Sequence, residues 1–158
     1  MRLLLVFLFL VLQGCMSTDV ASKGATFTYE ASPKSGKAIA YFYQFALPGV
    51  NSCLLVGVDG KYKACMGYPG YAKVSISAGD RDISFTPNSL VKISNLNFKY
   101  KFMAGREYFF CFQPVFSAGK DDIEIASQYN VAVDKTYGWF LVDKNKALEE
   151  MRKLRLWQ

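Results

Sequence analysis

The sequence predicts a mainly β fold: an antiparallel β-sandwich closed by one C-terminal α-helix. Three observations carry that expectation. Apolar residues alternate with a period of two from Ala38 onward, in short segments separated by Gly, Pro and Asp. The period changes to helical spacing after Asp143. The chain has 158 residues, 51% of them hydrophobic and 16% aromatic, which is enough for one domain with a core of its own.

Ile39, Tyr41, Tyr43 and Phe45 share one face of the first long strand, and Ala38, Ala40, Phe42 and Gln44 share the other. Both faces are apolar, so this strand belongs in the middle of a sheet. Pro48 and Gly49 end it. Cys53–Gly57 and Tyr62–Met66 form a hairpin about Val58-Asp59-Gly60. A three-residue loop there pairs Gly57 with Lys61 and sets Cys53 opposite Cys65; a two-residue loop shifts that register by one. Tyr68-Pro-Gly-Tyr71 is a turn, Ala72–Ile76 alternates with Lys73 and Ser75, and Ser77-Ala-Gly-Asp80 is the next turn before Ile83 and Phe85. Within Leu90–Met103, Leu96, Phe98, Tyr100 and Phe102 form a dry face, and Lys99 and Lys101 a wet one. Ala104-Gly105 turns the chain into Glu107–Gln113, which Pro114 ends. Ile123–Ala126, Asn130–Val133 and Trp139–Val142 are shorter strands. Asp143 N-caps a helix from Lys144 to about Arg155, with Ala147, Leu148, Met151 and Leu154 on its apolar face.

The amino terminus reads as an address. Arg2 precedes an apolar run, Leu3–Leu12, too short for the roughly 20 residues that span a bilayer but suited to a signal peptide. The run ends in Leu12-Gln13-Gly14-Cys15, which resembles the bacterial lipobox. That resemblance implies cleavage between Gly14 and Cys15 and covalent lipid on Cys15. Two or more acyl chains hold a protein stably on a membrane without a spanning helix. Met16 stands where a retention signal would carry Asp, which favours the outer membrane, facing the periplasm. The expected organisation is therefore a signal peptide over 1–14, a lipidated cysteine and flexible tether over 15–37, and the sandwich with its helix over 38–158.

The chain carries 19 Lys plus Arg against 13 Asp plus Glu and has no His. Without His it lacks the commonest general base and the usual catalytic-zinc ligand. Of the three cysteines after Cys15, Cys53 and Cys65 are the expected disulfide pair in an oxidising compartment, and Cys111, among aromatics, reads as a buried thiol. Asp80 and Asp82, and Asp121, Asp122 and Glu124, are carboxylate groups in turn settings. They are expected to solvate turns, with a carboxylate-pair enzyme as the alternative. No catalytic residue, metal ligand or cofactor other than the Cys15 lipid is assigned. Lys73, Lys99 and Lys101 are candidates for contact with an anionic surface, set against a merely solubilising role. Tyr62, Tyr68, Tyr71, Tyr129 and Tyr137 form a glycan or peptide platform only if the fold brings them together.

Several segments in order resemble the bacterial lipoproteins carrying domain of unknown function 2846. They are Ala40-Tyr-Phe-Tyr43, Gly57-Val-Asp-Gly-Lys61, Gly70-Tyr71 followed by Ala78-Gly79, Phe102-Met-Ala-Gly-Arg-Glu-Tyr108, and Phe140-Leu-Val142 before the final helix. Gln44 stands where that family commonly has Arg. The resemblance covers most of 37–155 and implies a β-sandwich lipoprotein, with no activity attached. The expected role is non-enzymatic binding or scaffolding in the envelope, anchored to the membrane, with an envelope protein or peptidoglycan as partner and no nucleic acid. The alternative is a periplasmic inhibitor or secretion-system accessory that engages a protein through a loop or edge strand.

Overall fold

The computed structural model describes residues 25–29, 33–45, 53–87, 97–130 and 134–156. Among these residues, eleven strands and one α-helix follow in chain order: β1 (Ala25–Thr26), β2 (Lys37–Gln44), β3 (Leu54–Val58), β4 (Lys61–Met66), β5 (Gly70–Ser77), β6 (Gly79–Pro87), β7 (Phe98–Phe102), β8 (Glu107–Pro114), β9 (Ile123–Asn130), β10 (Lys135–Leu141), α1 (Lys144–Met151) and β11 (Arg155–Leu156). They form a seven-stranded sheet, β1-β11-β5-β2-β8-β10-β9, and a four-stranded sheet, β4-β3-β6-β7. Pairing is antiparallel except for β2 with β8 and β11 with β5. The signal peptide, Cys15 and the expected tether up to residue 24 lie outside the described residues, as does Leu90–Leu96.

The alternation in β2 decides the layering. Ala38, Ala40 and Phe42 enter the core between the sheets, while Ile39, Tyr41 and Tyr43 enter a second core beneath α1. A strand apolar on both sides is stable only when both faces are covered, and β2 sits between β5 and β8 with a layer on each side. The inter-sheet core is aromatic: Trp139 is fully buried and stacks on Phe85 at 4.2 Å between ring centres, with Phe42, Phe98 and Phe112 around it. Gly138 precedes Trp139 because β9 passes close there. A Cβ on it would stand 2.7 Å from the Ala126 carbonyl oxygen and 2.9 Å from Ser127 Cβ.

The helix starts as expected. The Asp143 carboxylate accepts from the Asn145 and Lys146 backbone N–H groups at 2.8 and 3.4 Å. It ends at Met151, not near Arg155. The reason lies in the sheet edge: Arg155 and Leu156 form β11, paired with β1 and lying beside Tyr71 of β5. Their backbone groups find partners in strands, and Leu154 is still buried as the helical spacing required.

The folded unit begins earlier than residue 38. Thr26 accepts a hydrogen bond from the Arg155 guanidinium. Phe27 packs edge-on against Tyr71 and Tyr41, at 5.2 and 6.1 Å. Tyr29 donates to the Glu107 carboxylate at 2.8 Å. Residues 25–29 thus form a strap across the outer face of the large sheet. The strand expected over Ile123–Ala126 continues to Asn130 as β9, with a bulge opposite Trp139 and Phe140, and the strand expected over Asn130–Val133 lies, beyond Asn130, outside the described residues.

The β3–β4 hairpin corrects the expected register. Its loop is the two residues Asp59 and Gly60, both at positive φ (50° and 71°), and Val58 pairs with Lys61. A bulge at Lys63 then absorbs one residue, so Leu55, not Cys53, stands opposite Cys65. Cys53 and Cys65 are diagonal neighbours on one face of the pair and are joined by a disulfide, with Cα atoms 5.6 Å apart and a sequence separation of 12. Replacing both cysteines with Ala is expected to lower the unfolding free energy by about 3 kcal/mol, from restored loop entropy in the unfolded chain. Urea unfolding of the two proteins measures it; equal midpoints would show that the bridge contributes nothing.

Candidate functional site

The structure divides the expected basic face. Lys73 lies on the outer face of the large sheet, with its ammonium 5.9 Å from the centre of the Tyr41 ring. Lys99 and Lys101 project from the outer face of the small sheet, since Phe98 and Phe102 of the same strand point into the core. The three lysines therefore face opposite sides of the sandwich. Lys99 and Lys101 also stand opposite Asp82 and Asp80 across the β6–β7 pair, and Lys99 meets Asp82 at 3.5 Å. The tyrosines do not gather either. Tyr71 is buried, Tyr68 and Tyr137 pack on the inter-sheet core, Tyr62 is exposed, and the Tyr129 side chain lies outside the described residues.

The carboxylates separate in the same way. Asp80 and Asp82 belong to the small sheet. Asp122, whose side chain is only 3% exposed, belongs to a buried polar network beneath α1. Both of its oxygens accept from the Lys146 ammonium, at 2.9 and 2.7 Å, and one also accepts from the Gly119 N–H at 2.7 Å and the Gln113 amide at 3.1 Å. Burial works to raise the Asp122 pKa, but the hydrogen bonds from Lys146, Gly119 and Gln113 outweigh it and hold the carboxyl below its ordinary value. Glu150, one helical turn beyond Lys146, accepts from the Tyr43 hydroxyl at 2.6 Å. Burial, then the neighbouring Glu150, pushes the Cys111 thiol up to about 12, so it is protonated and inert at neutral pH. Among the described residues no three His, Cys, Asp or Glu side chains are placed to hold a metal ion.

One end of the sandwich carries a different arrangement. Backbone hydrogen bonds tie the turns there together: Gly105 N–H to Lys37 O at 2.8 Å, Ala78 N–H to Gly36 O at 3.2 Å, and Ile39 N–H to Arg106 O at 3.0 Å. These bonds bring Lys34, Lys37 and Arg106 to the end where β7 delivers Lys101. None of the four makes an ion pair among the described residues. Most acids nearby are already engaged. Asp59 accepts from the Arg81 guanidinium at 3.2 Å and the Asp82 N–H at 3.1 Å. Glu107 accepts from Tyr29 and from the Lys144 ammonium at 2.6 Å, and Asp143 caps α1. Lys144 also donates to the Tyr29 hydroxyl and lies 4.6 Å from the centre of its ring. Glu107 and Tyr29 together raise the Lys144 pKa.

An open groove of about 400 Å³ runs beside this end, with Met103, Phe109, Leu141 and Val142 as apolar lining and Arg106 and Lys144 along it. Met103 is 54% exposed. Sequence reading missed the cluster because Lys34 and Lys37 read as tether and Arg106 as an ordinary turn residue. Only the pairing of the β5–β6 and β7–β8 corners with the start of β2 makes them neighbours.

The Asp122 pair has a pH signature. A carboxyl with a lowered folded-state pKa stabilises the protein above its unfolded pKa, and that contribution fades as pH falls through the folded value. Asp122→Asn should therefore be less stable than the parent at pH 7, by about 2 kcal/mol, with the difference shrinking below about pH 4. Thermal melts of both proteins across that range measure it; a pH-independent difference would contradict the ionic role. No protein-family model matches the chain, and no curated protein is found to be similar to it.

Proposed function

We propose that the protein is a lipid-anchored lipoprotein of the bacterial cell envelope that acts by binding, not by catalysis. The observation that carries this reading is the Leu3–Leu12 run leading into Leu12-Gln13-Gly14-Cys15, ahead of a domain whose strap starts ten residues later, at Ala25. The resemblance to the domain of unknown function 2846 lipoproteins belongs to the same reading, as does an outer-membrane, periplasm-facing location. No described helix is long and apolar enough to cross a membrane. The two carboxylate groups sit apart, and Asp122 is committed to a structural ion pair, so the reading assigns them no chemistry.

A second reading, an accessory or inhibitor that engages a protein partner, is favoured by the outer edge of β9, which pairs with no strand among the described residues. The other long edges, β4 and β7, carry Lys61 and Lys63, and Lys99 and Lys101, as edges commonly do. β9 spans eight residues without Lys, Arg or Pro, and Ile123 at its start is 59% exposed. Its bulge limits the regular pairing surface to Ala126–Asn130.

Thiol counting tests the anchor. Unfolding the purified protein without reductant should expose one thiol, Cys111, if Cys15 carries lipid. Two thiols would refute the reading. In cells, Cys15→Ser should move the protein from the membrane fraction to the soluble one; unchanged acylation and fractionation would refute it equally.

A further inference from the structure

β10 leaves a strand position vacant beside β8. The two strands pair as far as Phe110, whose partner is Leu141. One more bond follows, from the Val142 N–H to the Phe109 carbonyl at 2.9 Å, and Asp143 then turns the chain into α1. β8 itself extends further, to Glu107. Successive residues of a strand direct their backbone groups to alternate edges. The Arg106 carbonyl accepts from Ile39 on the β2 side, and the Phe109 carbonyl accepts on the β10 side. Glu107, two residues before Phe109, therefore turns its N–H and C=O to the β10 side. Neither has a backbone partner there among the described residues. β9 begins at Ile123, opposite Leu141, and does not reach this position. The open groove of about 400 Å³ lies along the same stretch, with Glu107, Tyr108 and Phe109 in its wall beside Met103, Leu141 and Val142.

We propose that this groove binds an extended peptide segment of a partner protein, which adds a short strand to β8 where β10 stops. The inference deepens the binding reading and rests on neither the lipid anchor nor the β9 edge. The backbone selects the class of occupant. The Glu107 N–H and C=O present a donor and an acceptor on one strand edge, which a peptide backbone matches and an acyl chain cannot. Met103, Phe109, Leu141 and Val142 supply an apolar surface for a side chain of the segment, and the exposed Met103 adapts to its shape. Charge then restricts the sequence. Glu107 meets the Lys144 ammonium at 2.6 Å, so those two charges cancel. Arg106 makes no ion pair among the described residues. The groove therefore carries one surplus positive charge, and the segment that complements it is apolar with a carboxylate alongside.

Fluorescence anisotropy with full-length protein in phosphatidylcholine nanodiscs tests the proposal. The probes are labelled hexapeptides in which Val or Leu alternates with Thr and one position, taken in turn, carries Asp, Asn or Lys. The tightest Asp peptide should bind about tenfold more tightly than its Lys counterpart. R106Q should remove most of that preference, while R152Q, an equal charge change at the C-cap of α1, should keep it. N-methylation along the peptide backbone keeps the side chains and removes the donors, and should weaken binding about tenfold. Hydrogen exchange at the Glu107 amide should be fast in the free protein and slow in the complex. No saturable binding by any of the peptides, or equal binding of the N-methylated form, would overturn the proposal. So would a slow Glu107 amide in the free protein, because a segment of this chain would then fill the position. Displacement of the peptides by dodecanoate without protection of Glu107 would overturn it in favour of an acyl ligand. The anchor stands or falls separately: peptide binding by a protein that exposes two thiols on unfolding would refute the lipid on Cys15 and uphold the groove.

Discussion

Burial of β2 on both faces is the constraint on which the rest of the architecture depends. Seven of its eight residues are buried: Ala38, Ala40 and Phe42 in one core, Ile39, Tyr41 and Tyr43 in the other, and Gln44 with its amide donating to the Gly67 carbonyl. One face needs the small sheet over it. The other needs α1 and the strap. Neither covering layer is optional, because Tyr41 and Tyr43 on one side and Phe42 on the other are all fully buried. The parallel contact with β8 follows from the same demand. β8 is likewise apolar on both faces, with Tyr108, Phe110 and Phe112 directed inward and Phe109 and Cys111 outward. Two such strands lie best side by side at the centre of the sheet.

The outer layer then sets the electrostatics. Covering the outer face with a short polar helix brings Lys146 and Glu150 down onto a sheet that carries Tyr43, Cys111 and Gln113. A buried carboxylate such as Asp122 is tolerated only because four donor contacts converge on it. This network gives the helix a fixed seat through directional bonds, beyond the apolar contacts of Ala147 and Met151. Carboxylates at the far end are used similarly, inside turns and caps, which leaves lysines and arginine as the surplus charge there.

Much of this was legible in the sequence, for local reasons. Alternation in β2, β5 and β7 fixed which side chains point inward, since the period of two is a property of the extended backbone. Asp143 announced the helix start because its capping bonds span three residues. What was not legible depended on contacts distant along the chain. The helix end depended on β11 finding β1, across 129 residues for the Arg155–Thr26 contact. The cysteine register depended on a bulge at Lys63 that no composition marks. The grouping of Lys101 with Lys34, Lys37 and Arg106, in place of Lys73, depended on which corners cross between sheets.

The strap has a mechanical consequence. β1 pairs with β11 at the edge of the large sheet, and the strap then crosses the outer face, with Phe27 between Tyr41 and Tyr71 and Tyr29 fastened to Glu107 of β8. A pull on Ala25 from its N-terminal side is therefore borne first by the two-residue β1–β11 pair, then by the Phe27 rings and the Tyr29 hydroxyl, before it reaches the central strands β2 and β8.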